Sequence, residues 1–186
     1  MKMRVIAGRA RSLKLKTPEG LNTRPTTDRI KETLFNMIQQ EIPNCIFVDL
    51  FAGSGGIGIE ALSRGASHAY FVENSREAIS CIQDNLSFTK FTDSATLLKQ
   101  EVFSALSMIH EKEVDIIFMD PPYQAGYEEK VFQALYQQLY VTENTLLILE
   151  AELHKETDFL KKLGYKIIKE KNYKTNKHVF VRKCSL

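Results

Sequence analysis

Cysteine is scarce in this 186-residue chain: Cys45, Cys81 and Cys184 are odd in number and widely spaced. That pattern excludes a disulfide framework and fits no zinc motif, so the thiols read as reduced filler. Histidine is equally sparse, with His68, His110, His154 and His178 scattered along the chain and forming no cluster with the cysteines. No metal centre or histidine-based nucleophile is therefore written in the order of residues. Long apolar runs are missing as well. None approaches the roughly 20 residues that cross a bilayer, and the opening Met1-Lys2-Met3-Arg4-Val5-Ile6 lacks the apolar segment of a secretory signal. A cytoplasmic protein is expected. Long polar tracts, internal repeats and low-complexity stretches are also absent, which excludes disordered and fibrous classes.

What is present is the composition of an ordinary globular protein, 44% hydrophobic and 26% charged. The length suits one domain with a small appendage. The net charge of +2 conceals a partition. Residues 1–40 carry nine Lys/Arg against three Asp/Glu, residues 161–186 carry nine against Glu170 alone, and residues 41–160 carry seven against nineteen. Basic ends around an acidic middle are what a polyanion-binding protein uses, because phosphates neutralised by Lys or Arg release counterions. The plainer reading, a solvated face, stays open for Lys161, Lys162, Lys166, Lys169 and Lys171, which could alternate outward on a helix end and a strand.

The periodicities alternate. Residues 2–7 and 13–16 read as a short hairpin, and a helix starts near Thr26 or Thr27 with apolar residues Ile30, Leu34, Phe35, Met37 and Ile38 on one stripe. Strands are expected at 46–50, 69–73, 95–99, 114–119 and 145–152, separated by helices at about 56–64, 75–86, 102–110 and 127–138. Such alternation builds a parallel sheet covered on both faces. A short helix and two closely spaced strands, 165–170 and 178–182, end the chain as a hairpin that adds one antiparallel strand. The organisation is then a basic extension, residues 1–40, followed by an α/β domain, residues 41–186.

Two motifs fall at strand ends. Gly53-Ser54-Gly55-Gly56-Ile57-Gly58 has G-x-G-x-x-G spacing between a strand and a helix, where glycines permit a tight turn and close backbone approach to a ligand. Glu73, at the end of the next strand, could accept both hydroxyls of an adenosine ribose. A dinucleotide enzyme would share both features. However, Asp49 before the loop would repel a pyrophosphate and suits a cationic ligand such as S-adenosylmethionine. The second motif, Asp120-Pro121-Pro122-Tyr123, opens into the same crevice. Its two prolines stiffen the turn and remove two N–H donors, leaving carbonyls beside a carboxylate and a ring, an acceptor-rich slot for a planar heterocycle with an exocyclic amine.

Asp49-Leu50-Phe51-Ala52-Gly53-Ser54-Gly55 together with Asp120-Pro121-Pro122-Tyr123 resembles the class I methyltransferases that act on exocyclic amines of bases. Arg24-Pro25-Thr26-Thr27-Asp28-Arg29-Ile30-Lys31-Glu32, Arg4-Val5-Ile6-Ala7-Gly8 and Glu60-Ala61-Leu62-Ser63-Arg64-Gly65-Ala66 narrow the resemblance to the bacterial RsmD family of 16S rRNA guanine-N2 methyltransferases, over nearly the whole chain. The chain departs from that family at Gln100-Glu101, where a small residue and Asp are usual.

The resemblance implies a Rossmann-like, mostly parallel seven-stranded sheet with one antiparallel strand. It implies a site for S-adenosyl-L-methionine made by Asp49, Phe51, Ala52, Gly53, Ser54, Gly55, Glu73, Asn74, Glu101 and Val102. Asp120, Pro121, Pro122 and Tyr123 become the catalytic group, with acceptors on the amine protons and Tyr123 stacked on the base. The basic extension offers Arg4, Arg9, Arg11, Lys14, Arg24, Arg29 and Lys31 for phosphates of small-subunit rRNA, with closure over the cofactor crevice as the alternative for Arg24 and Arg29, and the enzyme is expected to be a metal-free monomer. DPPY is shared with adenine methyltransferases, so an adenine-N6 enzyme on DNA or RNA is one alternative. A non-catalytic RNA-binding assembly factor and a nicotinamide oxidoreductase are the others.

Overall fold

A computed structural model describes residues 3–18, 28–122 and 126–185. Seven strands form one sheet: β1 Ile46–Asp49, β2 His68–Val72, β3 Ala95–Leu98, β4 Ile116–Met119, β5 Leu146–Glu152, β6 Tyr165–Asn172 and β7 Asn176–Lys183. Their order across the sheet is β3-β2-β1-β4-β5-β7-β6, with β7 antiparallel to both neighbours and the others parallel. The order reverses between β1 and β4, and in doubly wound sheets the ligand crevice opens at that reversal, outside the carboxyl ends of the strands.

Two apolar layers cover the sheet because strand residues alternate sides. Phe47, Phe71, Ile116, Phe118, Ile148 and Phe180 point to one side, where they meet α1 Asp28–Met37, α2 Gly56–Ser63 and α3 Arg76–Thr89. Val48, Val72, Ile117, Leu149, Val179 and Val181 point to the other, against α4 Val102–Leu106, α5 Tyr127–Tyr136 and α6 Phe159–Lys162. The near-continuous burial of β1, β4 and β5 explains their unbroken runs of apolar residues. Ser75 caps α3, its hydroxyl accepting from the Ala78 N–H at 3.4 Å. Among the described residues no helix is long and apolar enough to cross a membrane.

Several boundaries differ from the periodicity. The helix expected over 102–110 ends at Leu106, where the Ser107 hydroxyl bonds the Ser104 carbonyl at 2.9 Å in competition with the helix ladder. The terminal hairpin is longer than expected, and the strand expected from residue 114 starts at Ile116. The expected helix start near Thr26 or Thr27 lies outside the described residues, which take up α1 at Asp28.

The N-terminal hairpin is reduced to one bridge, Arg4 with Lys14, flanked by bonds from Val5 N–H to the Leu13 carbonyl and from Leu15 N–H to the Met3 carbonyl. It is held by the main body. The Glu60 carboxylate of α2, fully buried, accepts the N–H groups of Ile6 at 2.8 Å and Ala7 at 3.0 Å. Ser63 binds the Arg9 and Ala10 N–H groups through its carbonyl and hydroxyl, and Asn85 of α3 binds both backbone groups of Lys16.

Candidate active site

A cavity of 460 Å³ lies at the carboxyl rim on the α1–α2–α3 side, walled by Asp49, the glycine loop, Glu73, Asp120 and Pro122 and roofed by Met3, Thr17 and Pro18 of the arm. Phe51, Glu73 and Pro122 also border a second lobe of 370 Å³ on the opposite side, lined by Leu50, Val72, Asn74, Gln100, Glu101, Val102 and Tyr127. The rim between β1 and β4 is thus straddled by two adjoining hollows that share Phe51, Glu73 and Pro122.

The glycine loop is shaped for close approach. Gly55 caps α2 at φ 79°, a left-handed conformation that favours glycine, and a Cβ on Gly58 would stand 2.3 Å from the Phe71 ring. Helix α2 therefore lies against β2 as the third glycine of the motif requires. Asp49 is buried beneath the loop and accepts the Gly58 N–H at 3.1 Å. Its carboxyl is pushed up to about 7, chiefly by burial and further by the Glu73 charge, against the backbone hydrogen bonds it accepts.

Glu73 ties the loop to the end of β2. One of its oxygens accepts the Gly53 N–H at 2.8 Å, and the other accepts the Asn74 and Ser75 N–H groups, both at 2.9 Å. Three fixed donors orient the carboxylate at the junction of the two hollows. At the mouth of the smaller lobe the Asn74 amide donates to the Glu101 carboxylate, which brings the departure at 100–101 beside Glu73. Phe103 and Phe51 both meet Tyr127 edge to face, at 5.8 and 6.0 Å.

Asp120 continues β4 into the larger cavity. Burial raises its carboxyl well above the ordinary 3.8, and the Glu150 and Asp49 charges raise it further. Glu150 is itself buried on β5, its two oxygens taking the Asn176 amide at 2.6 Å and the His178 ring at 3.1 Å. Pro121 is buried and Pro122 exposed, whereas Tyr123 lies outside the described residues. Burial disfavours the ionised forms of Asp49 and Asp120, and a ligand that brings positive charge to this rim would favour them.

The structure thus brings Asp49, Phe51, Ala52, Gly53, Ser54, Glu73 and Asp120 around one cavity, and Asn74, Glu101 and Val102 around its neighbour. Gly55 stands just behind, its backbone forming the cap of α2. Of the expected phosphate contacts, Arg4, Arg9, Arg11, Lys14 and Arg29 are exposed. Arg4 pairs with Asp28 at 2.8 Å, and Arg9 lies over the Phe91 ring at 5.1 Å. Arg24 falls outside the described residues. Lys31 differs from the expectation, since it is 1% exposed. Its ammonium donates to the Arg4 carbonyl at 2.6 Å and lies 3.4 Å from Glu60, so burial is compensated inside the fold, where Lys31 borders the larger cavity and not the outer surface. Residue order gave no signal for Tyr127, for the roof residues Met3, Thr17 and Pro18, or for the anchoring role of Glu60. An acid in an otherwise apolar helix was the one available hint for Glu60.

The sheet order, the glycine-led α2 and the paired hollows at the rim define a class I, Rossmann-like methyltransferase fold. Residues 3–182 match the family model "Conserved hypothetical protein 95", and the chain belongs to that family, the RsmD methyltransferases. Ribosomal RNA small subunit methyltransferase D of Escherichia coli is 34% identical over 153 residues, covering 81% of this chain and 75% of that protein. The Haemophilus influenzae protein of the same name is 34% identical over 173 residues, covering 91% and 88%. The solved structure of yhhF from Escherichia coli covers 100% of both chains at 31% identity with a TM-score of 0.85.

Proposed function

We propose that this protein transfers a methyl group from S-adenosyl-L-methionine to the exocyclic N2 amine of one guanine in the 16S rRNA of the small ribosomal subunit. The observation that carries the reading is the row of carboxylates, Asp49, Glu73 and Asp120, around a cavity that ends at the Pro121-Pro122 turn. Relatives named for small-subunit rRNA support the substrate.

The residues suit such a cofactor. Glu73 presents an oriented acceptor for ribose hydroxyls. The space beside Gly53, where a Cβ would meet no atom within 4 Å, leaves room for a ligand against the backbone, and Asp49 supplies a negative charge for a cation. When bound, S-adenosylmethionine supplies an electrophilic methyl group on a sulfonium.

The guanine amine is a poor nucleophile because its lone pair is delocalised into the ring. Asp120 and the Pro121 carbonyl accept hydrogen bonds from its two N–H groups and turn the lone pair toward the incoming carbon. Tyr123 stacks on the base. A base must leave its stack to enter, at a cost of a few kcal/mol, which favours unpaired or bulged RNA. After transfer the proton on nitrogen passes to Asp120, whose raised affinity for protons fits it to receive one. Arg4, Arg9, Arg11, Lys14, Arg24 and Arg29 of residues 1–40 face the RNA, and the enzyme works as a cytoplasmic monomer.

The test is transfer of labelled methyl from S-adenosylmethionine to small subunits lacking base methylation, beside naked 16S rRNA and duplex DNA, with Asp120→Ala as control. Label in one guanine of 16S rRNA, lost in the variant, is the expected result. Label confined to adenine or to DNA overturns the substrate.

A further inference from the structure

Strand β6 carries one residue more than its partner: Ile167 pairs with Val181 and Lys169 with Phe180, leaving Ile168 unmatched. Such bulges shift the alternation of a strand and re-aim side chains, and they gather next to active sites. Residues opposite one another in an antiparallel ladder project to the same side. Lys169 stands opposite Phe180 and Lys171 opposite His178, so both rise on the α1–α2–α3 side, the side that carries Phe118 and the larger cavity. Strict alternation counted from the buried Tyr165, which packs into the reverse layer, puts them on the wrong side. Lys166, opposite Arg182 and ahead of the bulge, shares their face.

The position along the strand matters as much as the face. Lys171 is level with His178, which is level with Glu150. Phe118 is level with Ile148, so Asp120, two residues on, reaches the level of Glu150. Lys171 is therefore three strand spacings from Asp120 along the same rim, about 14 Å.

Neighbouring cations are partnered on both faces, and Arg182, on the face of Lys166, pairs with Glu41 at 2.9 Å. On the reverse side Lys177 pairs with Glu170 at 3.5 Å, Lys155 pairs with Glu128 at 3.0 Å, and Lys183 lies over the Tyr136 ring at 4.4 Å. Lys166, Lys169 and Lys171 are exposed, and their side chains have no ion-pair or hydrogen-bond partner among the described residues. Three unpaired cations on one strand face, beside a rim whose own carboxylates repel phosphate, match a polyanion that must be held close to that rim.

We propose that Lys169 and Lys171, with Lys166 behind them, form a second phosphate-binding ledge that holds the RNA strand leading away from the target base. Resting on the RNA substrate argued above, this makes the grip two-sided: the arm lies on one flank of the acidic cleft and the bulged strand on the other. Each cation neutralises backbone phosphate without reading sequence, so the ledge contributes affinity and register, and selection of the base stays with the cleft.

The decisive comparison is between the wild-type chain, Lys169→Ala/Lys171→Ala, and Lys161→Ala/Lys162→Ala. The last pair is an equally exposed one on α6, which packs on the reverse face through Leu160. Binding to naked 16S rRNA is measured across salt concentrations, and methyl transfer across RNA concentrations. In the ledge variant the slope of log affinity against log salt should fall by about 1.4 to 1.8. Its KM for RNA should rise roughly tenfold, with kcat and S-adenosylmethionine binding unchanged. The α6 variant should match wild type. An unchanged slope in the ledge variant, an equal fall in the α6 variant, or a loss seen with assembled particles but not with naked RNA would each overturn the ledge. Failure of the wild-type chain to methylate any RNA would instead remove the functional reading on which it rests.

Discussion

Replacing Asp49 by Asn should stabilise the ligand-free protein and weaken its hold on the cofactor, and both effects should depend on pH. In the folded chain the Asp49 carboxyl keeps its proton up to about 7, against an ordinary 3.8. Between those values the folded state therefore binds more protons than the unfolded state, so stability falls as pH rises through the window and levels off above it. The gap corresponds to about 4 kcal/mol lost by pH 8.5, at about 1.4 kcal/mol for each pH unit. Asn keeps an acceptor for the Gly58 N–H but has one fewer for the backbone of Phe51, which costs about 1 to 2 kcal/mol. A net gain of about 2 kcal/mol remains, which is about 4 to 8 °C in Tm for a chain of this size. Melting curves of both proteins at pH 8.5 and pH 5 test the reasoning. At pH 5 the wild-type carboxyl is already protonated and the gain should vanish or reverse. S-adenosylmethionine, a cation, should bind wild type more tightly as pH climbs through 7, and the Asn variant should bind it about 30- to 100-fold more weakly at pH 8.5. A variant destabilised equally at both pH values would refute the assignment of Asp49 as a desolvated charge waiting for a cation.

Asp120→Ala should lower the methyl-transfer rate at least about a hundredfold while the protein remains folded, measured with saturating cofactor and RNA; near-normal turnover would remove Asp120 from the chemistry. Glu60→Gln leaves the buried Lys31 ammonium without its counter-charge and should cost about 3 to 5 kcal/mol in urea unfolding, with early proteolysis within residues 1–18. Gly58→Ala forces a methyl group against the Phe71 ring and should cost about 1 to 3 kcal/mol, together with cofactor affinity as the loop shifts; an unaffected cofactor Kd would show that loop and helix are independent. Arg9→Ala/Arg11→Ala should weaken RNA binding and flatten its salt dependence, and an unchanged slope would deny the arm its phosphate role.

The alternation of apolar runs gave the order and type of nearly every sheet element, because strands buried on both faces leave an unmistakable run of Val, Ile and Phe. Asp49, Glu73 and Asp120 were legible for the same reason: once the strands are placed, an acid at a carboxyl end faces the crevice. Long-range pairings were not legible. Lys31 sits among polar neighbours in the chain and reads as a surface cation, and only the arrival of α2 with Glu60, 29 positions later, encloses it. The bulge in β6 left no mark in the residues, since Ile167-Ile168 satisfies a strand in either parity and the register is fixed by β7. The early end of α4 depends on a serine hydroxyl competing for a carbonyl, a choice between two local bonds that composition does not decide.

The anchoring of the arm also sets a timetable. Residues 6–10 find their hydrogen-bond partners at Glu60 and Ser63, and Lys16 finds its own at Asn85, so the bonds close over 53 to 69 positions of chain. At about 5 to 20 residues per second, this segment waits on the order of 3 to 14 seconds before its partners exist. Once it has left the exit tunnel, and until those partners follow, a strongly basic peptide with nothing to dock on stands beside the synthesising ribosome, itself a surface of RNA phosphates. The same few bonds that roof the finished cleft thus also end a period in which the newborn chain is a free polycation.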